Sequence, residues 1–414
     1  MNKIPFKLWK YPALLLCGIG ISNIGAWIYL IALNLIILAK TNSPLAVAAL
    51  YVLVPMATLC SNFWSGSFID RINKRTLMIF LDFFRACCIF LLPSITSLTL
   101  IYVLVFIINI AGSIFAPTSM VYMTKLIPKK DRQRFNALRN FINSCGFLLG
   151  PSIAGLLFLV GTPFLAIKLN AIALVISGLI IMLLPNVEKE KKAESSKVSW
   201  MMIKKDWQYV ISFSKSSIYV ATVYLLFSGV TVFMTALDSL EAAFAKEVLY
   251  LSDSTYGFLV SIAGGGIIVG SILNTMFAKK LMLNRLIGVG TIFTAIGYII
   301  YAFSDSFFAA ALGFFILTFS LSFANTGFLT FYQNNVPVEI MGRFSSMFGM
   351  IEALFIIIFT IAFGFIAEII SIRFVIIGGS FGLFILVLFF NKFVFQRSKR
   401  EYYHFDNISE KITR

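Results

Sequence analysis

The sequence is poor in charged residues, which occupy only 13% of its 414 positions. A soluble protein of this length carries roughly 25% charged and about 45–50% apolar residues, whereas this chain is 59% hydrophobic. No soluble fold can bury so large an apolar fraction, so lipid must surround most of the chain. The composition excludes a soluble globular fold and predicts an all-α polytopic membrane protein.

Histidine and cysteine are also scarce, with one and five residues. His404 lies in the C-terminal tail, which excludes a histidine metal centre or proton relay. The cysteines fall inside apolar runs without metal-ligand spacing, and we expect them to be small packing residues. The sequence therefore predicts no metal and no cofactor, and it lacks the catalytic set of a membrane-embedded enzyme.

Long apolar runs are abundant and indicate the architecture. A helix crosses the hydrocarbon core in about 20 residues. Runs of that size predict twelve spans at residues 11–39, 44–66, 76–93, 98–124, 135–160, 163–184, 216–237, 255–278, 286–303, 306–335, 344–367 and 372–395.

Acidic residues are outnumbered 18 to 34 by lysine and arginine, which gives a net charge of +16. With the N-terminus inside, 29 of the 34 basic residues fall in cytoplasmic segments, four fall outside and Arg85 lies within a span. This asymmetry follows the positive-inside rule and predicts cytoplasmic N- and C-termini. Attraction to anionic lipid of the inner leaflet accounts for the net charge, so no nucleic-acid partner is predicted.

Residues 185–215 interrupt the apolar pattern with the polar stretch "PNVEKEKKAESSKVSW", which predicts a linker. An amphipathic helix on the inner membrane surface is expected to follow it. Its apolar stripe is Trp200, Ile203, Trp207 and Val210, and the residues off that stripe are Lys204, Lys205 and Asp206. The predicted domains are an N-terminal six-helix bundle at 1–184, the linker at 185–215, a C-terminal six-helix bundle at 216–395 and a cytoplasmic tail at 396–414.

The two halves resemble each other. "PKKDRQRFN" follows the fourth predicted span and "PVEIMGRFS" follows the tenth. Pro128 and Pro337 lie 209 positions apart, as do Arg134 and Arg343. This spacing predicts two parallel six-helix repeats, an arrangement known from transporters.

The loop "GSFIDRINKR" at residues 66–75 resembles the signature loop of the major facilitator superfamily, Gly-x-x-x-Asp-Arg-x-Gly-Arg-Lys/Arg. Asn73 replaces the usual glycine. The matching residues are Gly66, Asp70, Arg71, Lys74 and Arg75. The resemblance implies twelve transmembrane helices in two pseudo-symmetric bundles that rock about a central site, with this loop as the cytoplasmic gate.

The physical chemistry of the loop suits a gate. Gly66 would let two helices approach closely. Asp70 is placed to accept hydrogen bonds at a neighbouring helix N-terminus, which in the family is the start of span eleven. Arg71 and Arg75 can pair with carboxylates or with lipid phosphate. The equivalent position in the second half holds Lys279, so only the first half carries the acid.

Span five resembles the antiporter motif of superfamily exporters, Gly-x8-Gly-x3-Gly-Pro-x2-Gly-Gly. The matching residues are Gly146, Gly150, Pro151 and Gly155, while Ala137 and Ala154 replace two glycines. The resemblance implies export, although small residues are also common wherever membrane helices pack.

The pattern that joins Asp70 to Asp82 and Arg85 is similar to one branch of the superfamily, which contains macrolide-efflux proteins and exporters of enterobactin and bacillibactin. The arginine that many proton-coupled members carry in span four is absent, and Ile108 and Asn109 occupy that region. Proton coupling is therefore an expectation that Arg85 would have to support.

Ionisable residues inside spans are costly and usually functional. Asp82 and Arg85 are predicted to form either a structural or gating pair or a proton site. Glu352 is expected near mid-membrane, as a proton carrier or as a neutral hydrogen-bonded acid. Asp238 and Glu241 either line an outward-facing cavity or lie in an outer loop.

The resemblance implies that spans 1, 4, 7 and 10 line the substrate cavity. The candidate residues there are Asn23, Trp27, Asn34, Asn109, Ser228, Asn325 and Tyr332. Amides and aromatic rings suit a large, partly apolar ligand with hydrogen-bonding groups.

These observations predict a monomeric exporter of the bacterial cytoplasmic membrane, driven by the proton gradient. Its cargo would be a hydrophobic small molecule, either a drug such as a macrolide or a siderophore such as bacillibactin. The partners are this substrate, protons and membrane lipid. A nutrient importer is the alternative, and a membrane-embedded enzyme or a non-transporting receptor is a more remote one.

Overall fold

The computed structural model describes residues 6–41, 44–160, 163–188, 200–251, 253–277 and 281–403. About 90% of the described residues are helical and none of them lies in a strand, which confirms the predicted all-α class. The α-helices are α1 (Phe6–Thr41), α2 (Pro44–Arg71), α3 (Lys74–Leu91), α4 (Leu98–Leu126), α5 (Arg132–Val160), α6 (Pro163–Met182), α7 (Trp200–Ser216), α8 (Ile218–Asp238), α9 (Glu241–Ala243), α10 (Asp253–Phe277), α11 (Leu283–Ala302), α12 (Phe307–Asn335), α13 (Met341–Ile369) and α14 (Ile372–Val394). Short helical turns occupy Leu92–Ser94, Lys129–Asp131, Phe244–Val248 and Arg397–Tyr403.

Eleven of the described helices are long and apolar enough to cross a membrane, namely α1 to α4, α6, α8 and α10 to α14. The protein is therefore a multi-pass membrane protein. The remaining span predicted from the sequence, at 135–160, lies in α5, a helix of 29 residues that is not among the eleven. The count of twelve spans stays a prediction.

The same helix pairs pack together in both halves of the chain. In the first half, α6 packs on α1 and α3, and α4 packs on α2 and α3. In the second half, α14 packs on α8 and α11, and α12 packs on α10 and α11. When the six long helices of each half are matched in chain order, α1 to α6 correspond to α8 and α10 to α14. Each packed pair of the first half then corresponds to a packed pair of the second. The 209-residue repeat predicts this pattern.

The first compact unit comprises Met1–Ile127, Cys145–Ile211 and Val338–Met350. Its core lies among α1, α3 and α6, where Ile37, Ile89 and Leu174 are almost fully buried. Lipid tails are as apolar as these side chains, so close packing and small residues rather than exclusion of water hold such helices together. The start of α13, from the second half of the sequence, belongs to this unit.

The second unit comprises Pro128–Ser144, Ser212–Pro337 and Ile351–Arg414. Its core lies among α8, α11, α12 and α14. The first half of α5 belongs to it. The domain boundaries predicted from the sequence stay a prediction. The compact units differ from them at two places, because the start of α5 belongs to the second unit and the start of α13 to the first.

Candidate functional site

The charged loop between α2 and α3 is a two-residue turn. α2 ends at Arg71, and α3 begins at Lys74 with Asn73 as its N-cap. The Asn73 side chain accepts a hydrogen bond from the backbone N–H of Thr76 at 3.1 Å, which satisfies one of the free donors at the helix start. Asn73 has φ −61° and ψ 116°, an ordinary extended conformation, so the glycine of the family pattern is not required here.

Asp70 binds the N-terminus of α13. Its Oδ1 accepts from the backbone N–H of Gly342 at 3.1 Å, and its Oδ2 accepts from that of Arg343 at 3.2 Å. The Arg343 side chain adds a third bond, from Nε to Oδ2 at 2.6 Å. The helix dipole favours an anion at this position, and free backbone N–H groups supply the contacts. The loop of the first half is thereby tied to a helix of the second half.

Gly66 brings the backbones of α2 and α13 into contact one turn earlier. A Cβ on Gly66 would lie 2.7 Å from Cα of Arg343. Because that atom belongs to the backbone, no side-chain rotation could relieve the clash. Next to it, Oγ of Ser65 lies 3.3 Å from Oγ of Ser346. The position therefore requires glycine for as long as Asp70 holds the start of α13.

Asp206 on α7 is a functional candidate that the sequence pattern missed. Arg71 donates to both of its carboxylate oxygens at 2.7 and 2.9 Å, and Arg343 Nη1 donates to Oδ1 at 2.9 Å. Asp206 lies off the apolar stripe of α7, yet the residue is only 5% exposed. The apolar stripe of a helix shows which face is hydrophobic. It does not predict that a charged residue will be buried against the guanidinium groups of distant helices.

The environment of Asp206 favours its charged form. Burial by itself raises the pKa of this carboxyl, but hydrogen bonds from Arg71 and Ser67 and the positive charges of Arg343 and Arg71 lower it below its usual value. Asp206 thus stays ionised and joins Arg71 to Arg343. Together with Asp70 these residues form a network of two acids and two arginines, which we call the latch.

Lys74 and Arg75 fasten the same turn to the end of α6. Lys74 Nζ lies 2.8 Å from Glu188 Oε1, and Lys125 Nζ lies 2.9 Å from the same oxygen. Burial raises the pKa of Glu188, but its hydrogen bonds from the two lysines lower it below the usual value, so the acid stays charged. Arg75 donates to backbone carbonyls in the last turn of α6. Arg75 therefore satisfies a helix C-terminus, where the dipole favours a cation.

The glycines of the Gly-Pro segment set the contact between α5 and α1. A Cβ on Gly146 would overlap the amide of Asn23, and a Cβ on Gly150 would overlap Cβ of Trp27. Pro151 and Gly155 lie on the same helix. The tight packing fixes α1 beside α5 and thereby determines where Asn23 and Trp27 stand.

A cavity of about 350 Å³ lies inside the first unit, next to this contact. It is lined by α1, α3, α4 and α6. The lining residues are Leu15, Ile19, Ser22, Asn23, Ala26, Trp27, Met78, Arg85, Phe115, Ser177 and Ile181. Of the cavity residues expected from the sequence, Asn23 and Trp27 line it, while Asn34 and Asn109 lie elsewhere on α1 and α4.

Asp82 and Arg85 meet at the wall of this cavity. Asp82 is fully buried, and its Oδ2 accepts from Ser177 Oγ at 2.8 Å. Its Oδ1 lies 3.6 Å from Arg85 Nη1, which is an ion pair but longer than a hydrogen bond. The guanidinium also lies 5.9 Å from the ring of Phe115.

Two acids on membrane-spanning helices of the second unit have hydroxyl partners. Glu352 Oε2 accepts from Ser228 Oγ at 2.5 Å, which joins α13 to α8. Asp238 Oδ1 accepts from Tyr298 Oη at 2.6 Å at the end of α8. Neither contact is an ion pair, so protonation of these acids would not leave a cation unpaired.

Glu241, just beyond α8, is an acid with a raised pKa. Its Oε1 accepts from Tyr256 Oη at 3.0 Å. Burial, and to a lesser degree the neighbouring charge of Asp238, raise the pKa of Glu241 to about 7, while the Tyr256 hydrogen bond opposes the shift. Proton exchange near physiological pH requires such a value.

Asn325 and Tyr332 lie on α12 in the second unit. Asn325 is half-buried, whereas Tyr332 is 3% exposed and packs edge-on against Tyr224 with ring centroids 5.4 Å apart. Tyr332 is therefore a packing residue in this conformation.

The second-half loop is exposed at Pro337, and Arg343 beyond it enters the latch. The matching contact in the second unit consists of one guanidinium with amides and hydroxyls. Arg132 on α5 donates to Asn334 at 2.9 Å, Asn136 to Thr330 at 3.1 Å, and Asn140 to Thr326 at 2.9 Å. These three donors recur every four residues, a signal that the sequence offers. Lys279, the counterpart of Asp70, lies outside the described residues.

Comparisons with known proteins agree on one family. The family model described as Major Facilitator Superfamily matches residues 15–360. The chain is 23% identical over 373 residues to the uncharacterised MFS-type transporter YfiS of Bacillus subtilis, covering 85% of each chain.

Solved structures share the fold at low identity. The human organic anion transporter MFSD10 superposes with a TM-score of 0.77 at 13% identity, over 94% of this chain and 100% of that one. The Escherichia coli fucose:proton symporter FucP superposes with a TM-score of 0.72 at 15% identity, over 93% and 98% of the two chains.

Proposed function

Because this chain belongs to the major facilitator superfamily, and hence to transporters rather than enzymes, we propose that it is a proton-driven exporter of the bacterial cytoplasmic membrane. The cargo is a hydrophobic small molecule, either a drug such as a macrolide or a siderophore such as bacillibactin. The protein works as a monomer with both termini in the cytoplasm, and it needs no cofactor besides the proton gradient.

The observation that carries this proposal is the contact of Asp70 with the start of α13. Three hydrogen bonds and the helix dipole converge on one carboxylate; two of the donors are backbone N–H groups at a helix start, and the third is a charged guanidinium. Hydrogen bonds to charged groups contribute about 1.5–3 kcal/mol each. The latch therefore favours one state of the gate, and substrate or proton binding must supply the free energy that opens it.

The direction of transport rests on the Gly-Pro segment. Gly146 and Gly150 press α5 against α1 at the residues that border the cavity. A rigid contact at this place would limit leakage between opposing gradients, which an antiporter needs. The resemblance of the segment to the antiporter motif supports export.

Proton coupling rests on three acids that have no ion-pair partner among the described residues. Glu352 and Asp238 each accept from a hydroxyl, and Glu241 has a pKa of about 7. Each can gain or lose a proton without breaking an ion pair. Exchange of a proton for cargo at these acids would couple the gradient to export.

Import is the second candidate, because the fold is shared with a fucose:proton symporter. Inside-out membrane vesicles with an imposed proton gradient separate the two. An exporter accumulates labelled macrolide or siderophore in these vesicles, and a protonophore abolishes the accumulation.

The control is the variant Asp70→Asn at matched expression, which should transport poorly. Accumulation that is indifferent to the protonophore would contradict proton coupling. Accumulation only in right-side-out vesicles would favour the importer. Reporter fusions within residues 67–75 and after the tail test the cytoplasmic orientation.

A further inference from the structure

Arg85 is the one cation that borders the cavity of the first unit, among the residues that the structure describes as lining it. It lies 11 residues into α3, about 16 Å along the helix from the turn. A charged side chain at such depth is costly unless something satisfies it. The guanidinium of Arg85 therefore requires a hydrogen-bond acceptor.

The described residues use little of the hydrogen-bonding capacity of Arg85. A guanidinium offers five N–H donors. Its Nε is covered by protein and has no hydrogen-bond partner in the described part of the chain. The nearest acid, Asp82, lies 3.6 Å from Nη1 and gives part of its own capacity to Ser177. A buried donor without an acceptor destabilises the folded state.

The remaining lining of the cavity is mostly apolar. Six of the eleven lining residues are aliphatic or phenyl side chains, and Asn23, Ser22 and Ser177 add hydrogen-bonding groups. Phe115 lies on one side of the guanidinium and Trp27 also borders the space. A volume of about 350 Å³ is at the lower end of the range for small-molecule sites.

We propose that this cavity is a binding site for an organic anion, in which Arg85 receives the carboxylate and the apolar wall receives an aromatic or branched body. Charge-assisted bonds to carboxylate are what the planar guanidinium makes best. The proposal rests on the transport function and narrows its cargo to hydrophobic molecules that carry a negative charge at one end, which a basic macrolide does not.

Asp82 distinguishes this site from a purely structural ion pair. In a structural pair, removing either partner destabilises the protein, because it leaves the other charge buried and alone. At an anion site, Asp82 competes with the ligand for Arg85. Removing its charge costs stability in both cases, but only at an anion site should it also strengthen anion binding.

The test uses the purified full-length protein in detergent and a probe pair of equal shape, 1-naphthoate and the neutral 1-naphthalenemethanol. Binding is measured by titration calorimetry. We expect the wild type to bind the carboxylate at least tenfold more tightly than the alcohol. Arg85→Gln should lose this preference, Arg85→Lys should keep part of it, and Asp82→Asn should increase carboxylate affinity severalfold. The matched control is Arg285→Gln, which removes an exposed arginine and should change nothing.

Equal affinity of the wild type for both probes would overturn the proposal, as would weaker carboxylate binding by Asp82→Asn. If Arg85→Gln does not fold, Arg85→Lys and Asp82→Asn still decide. The experiment measures binding without transport, so a failure of proton-driven accumulation in vesicles would contradict the exporter proposal and leave this one standing.

Discussion

Arg343 Nε donates to Oδ2 of Asp70 over 2.6 Å, although the two residues stand 273 positions apart. The same aspartate also accepts from two backbone N–H groups at the start of α13. A single carboxylate thus fixes a helix start from the far half of the sequence.

Asp70→Asn should loosen this contact while keeping the shape of the side chain. The amide is neutral, so it loses the attraction to Arg343 and to the helix dipole, and we expect a loss of roughly 2 kcal/mol in stability. Thermal unfolding in detergent and efflux from loaded cells measure the effect. The matched control is Asp305→Asn, because Asp305 pairs with Arg373 at 2.6 Å but is 79% exposed. Exposed pairs contribute little, and equal damage by both changes would contradict the role of Asp70.

Asp206→Ala should release α7 from the latch. Arg71 and Arg343 would lose their shared acceptor, and breaking a buried pair costs about 3–5 kcal/mol. We expect amide hydrogen exchange across Trp200–Ser216 to accelerate at least tenfold and transport to fall. Lys204→Ala, at an exposed position of the same helix, should leave exchange unchanged. Unaltered exchange in Asp206→Ala would show that α7 is held by other contacts.

Gly66→Ala and Gly150→Ala should both damage folding, because each added methyl group meets atoms that cannot move aside. Overpacking of this kind costs about 1–3 kcal/mol. The folded yield and the apparent melting temperature report the effect. Gly112→Ala is the control, since a Cβ there would meet nothing within 4 Å, and alanine is the better helix former. If all three variants behave alike, the close approaches do not limit the fold.

The pKa of Glu241, about 7 in the folded protein, makes stability depend on pH. This value lies above the ordinary 4.5, so the folded state binds a proton more tightly than the unfolded state. The contribution is fully present below the ordinary value and is lost as pH rises through about 7. The apparent melting temperature of the wild type should therefore fall between pH 5 and about pH 8.

Glu241→Gln should flatten that part of the profile. Glu247→Gln, at an exposed position of the same segment, should leave the slope of the wild type in place. A slope that persists in Glu241→Gln would assign the titration to another group.

Much of the fold follows from local sequence. The lengths of the apolar runs and the positions of lysine and arginine can be read directly from the sequence. They are therefore sufficient to predict the helices and a multi-pass protein. Asp70 could be singled out because its loop resembles the signature loop of the family, and that resemblance implies its partner, the start of span eleven.

The partners of Asp206 and Asn136 could not be found in that way. Arg71 lies 135 positions from Asp206, and Thr330 lies 194 from Asn136. The periodicity of apolar residues within one helix does not predict which distant helix packs against it. The cavity beside Arg85 was equally hidden, because four helices and the contact at Gly150 jointly define it.

The pairing at the turn has a consequence for biogenesis. The orientation of the chain is predicted from its basic residues, among them Arg71, Lys74, Lys125 and Arg343. In the folded protein these four form ion pairs with Asp206, Glu188 and Asp70. During insertion these cations are still unpaired and can hold their segments on the side of synthesis. Once the helices assemble, the same charges close a joint between remote segments. The charges that orient the chain thus become ion pairs of the folded protein. A substitution at one of them can therefore impair either membrane insertion or the later packing of the helices.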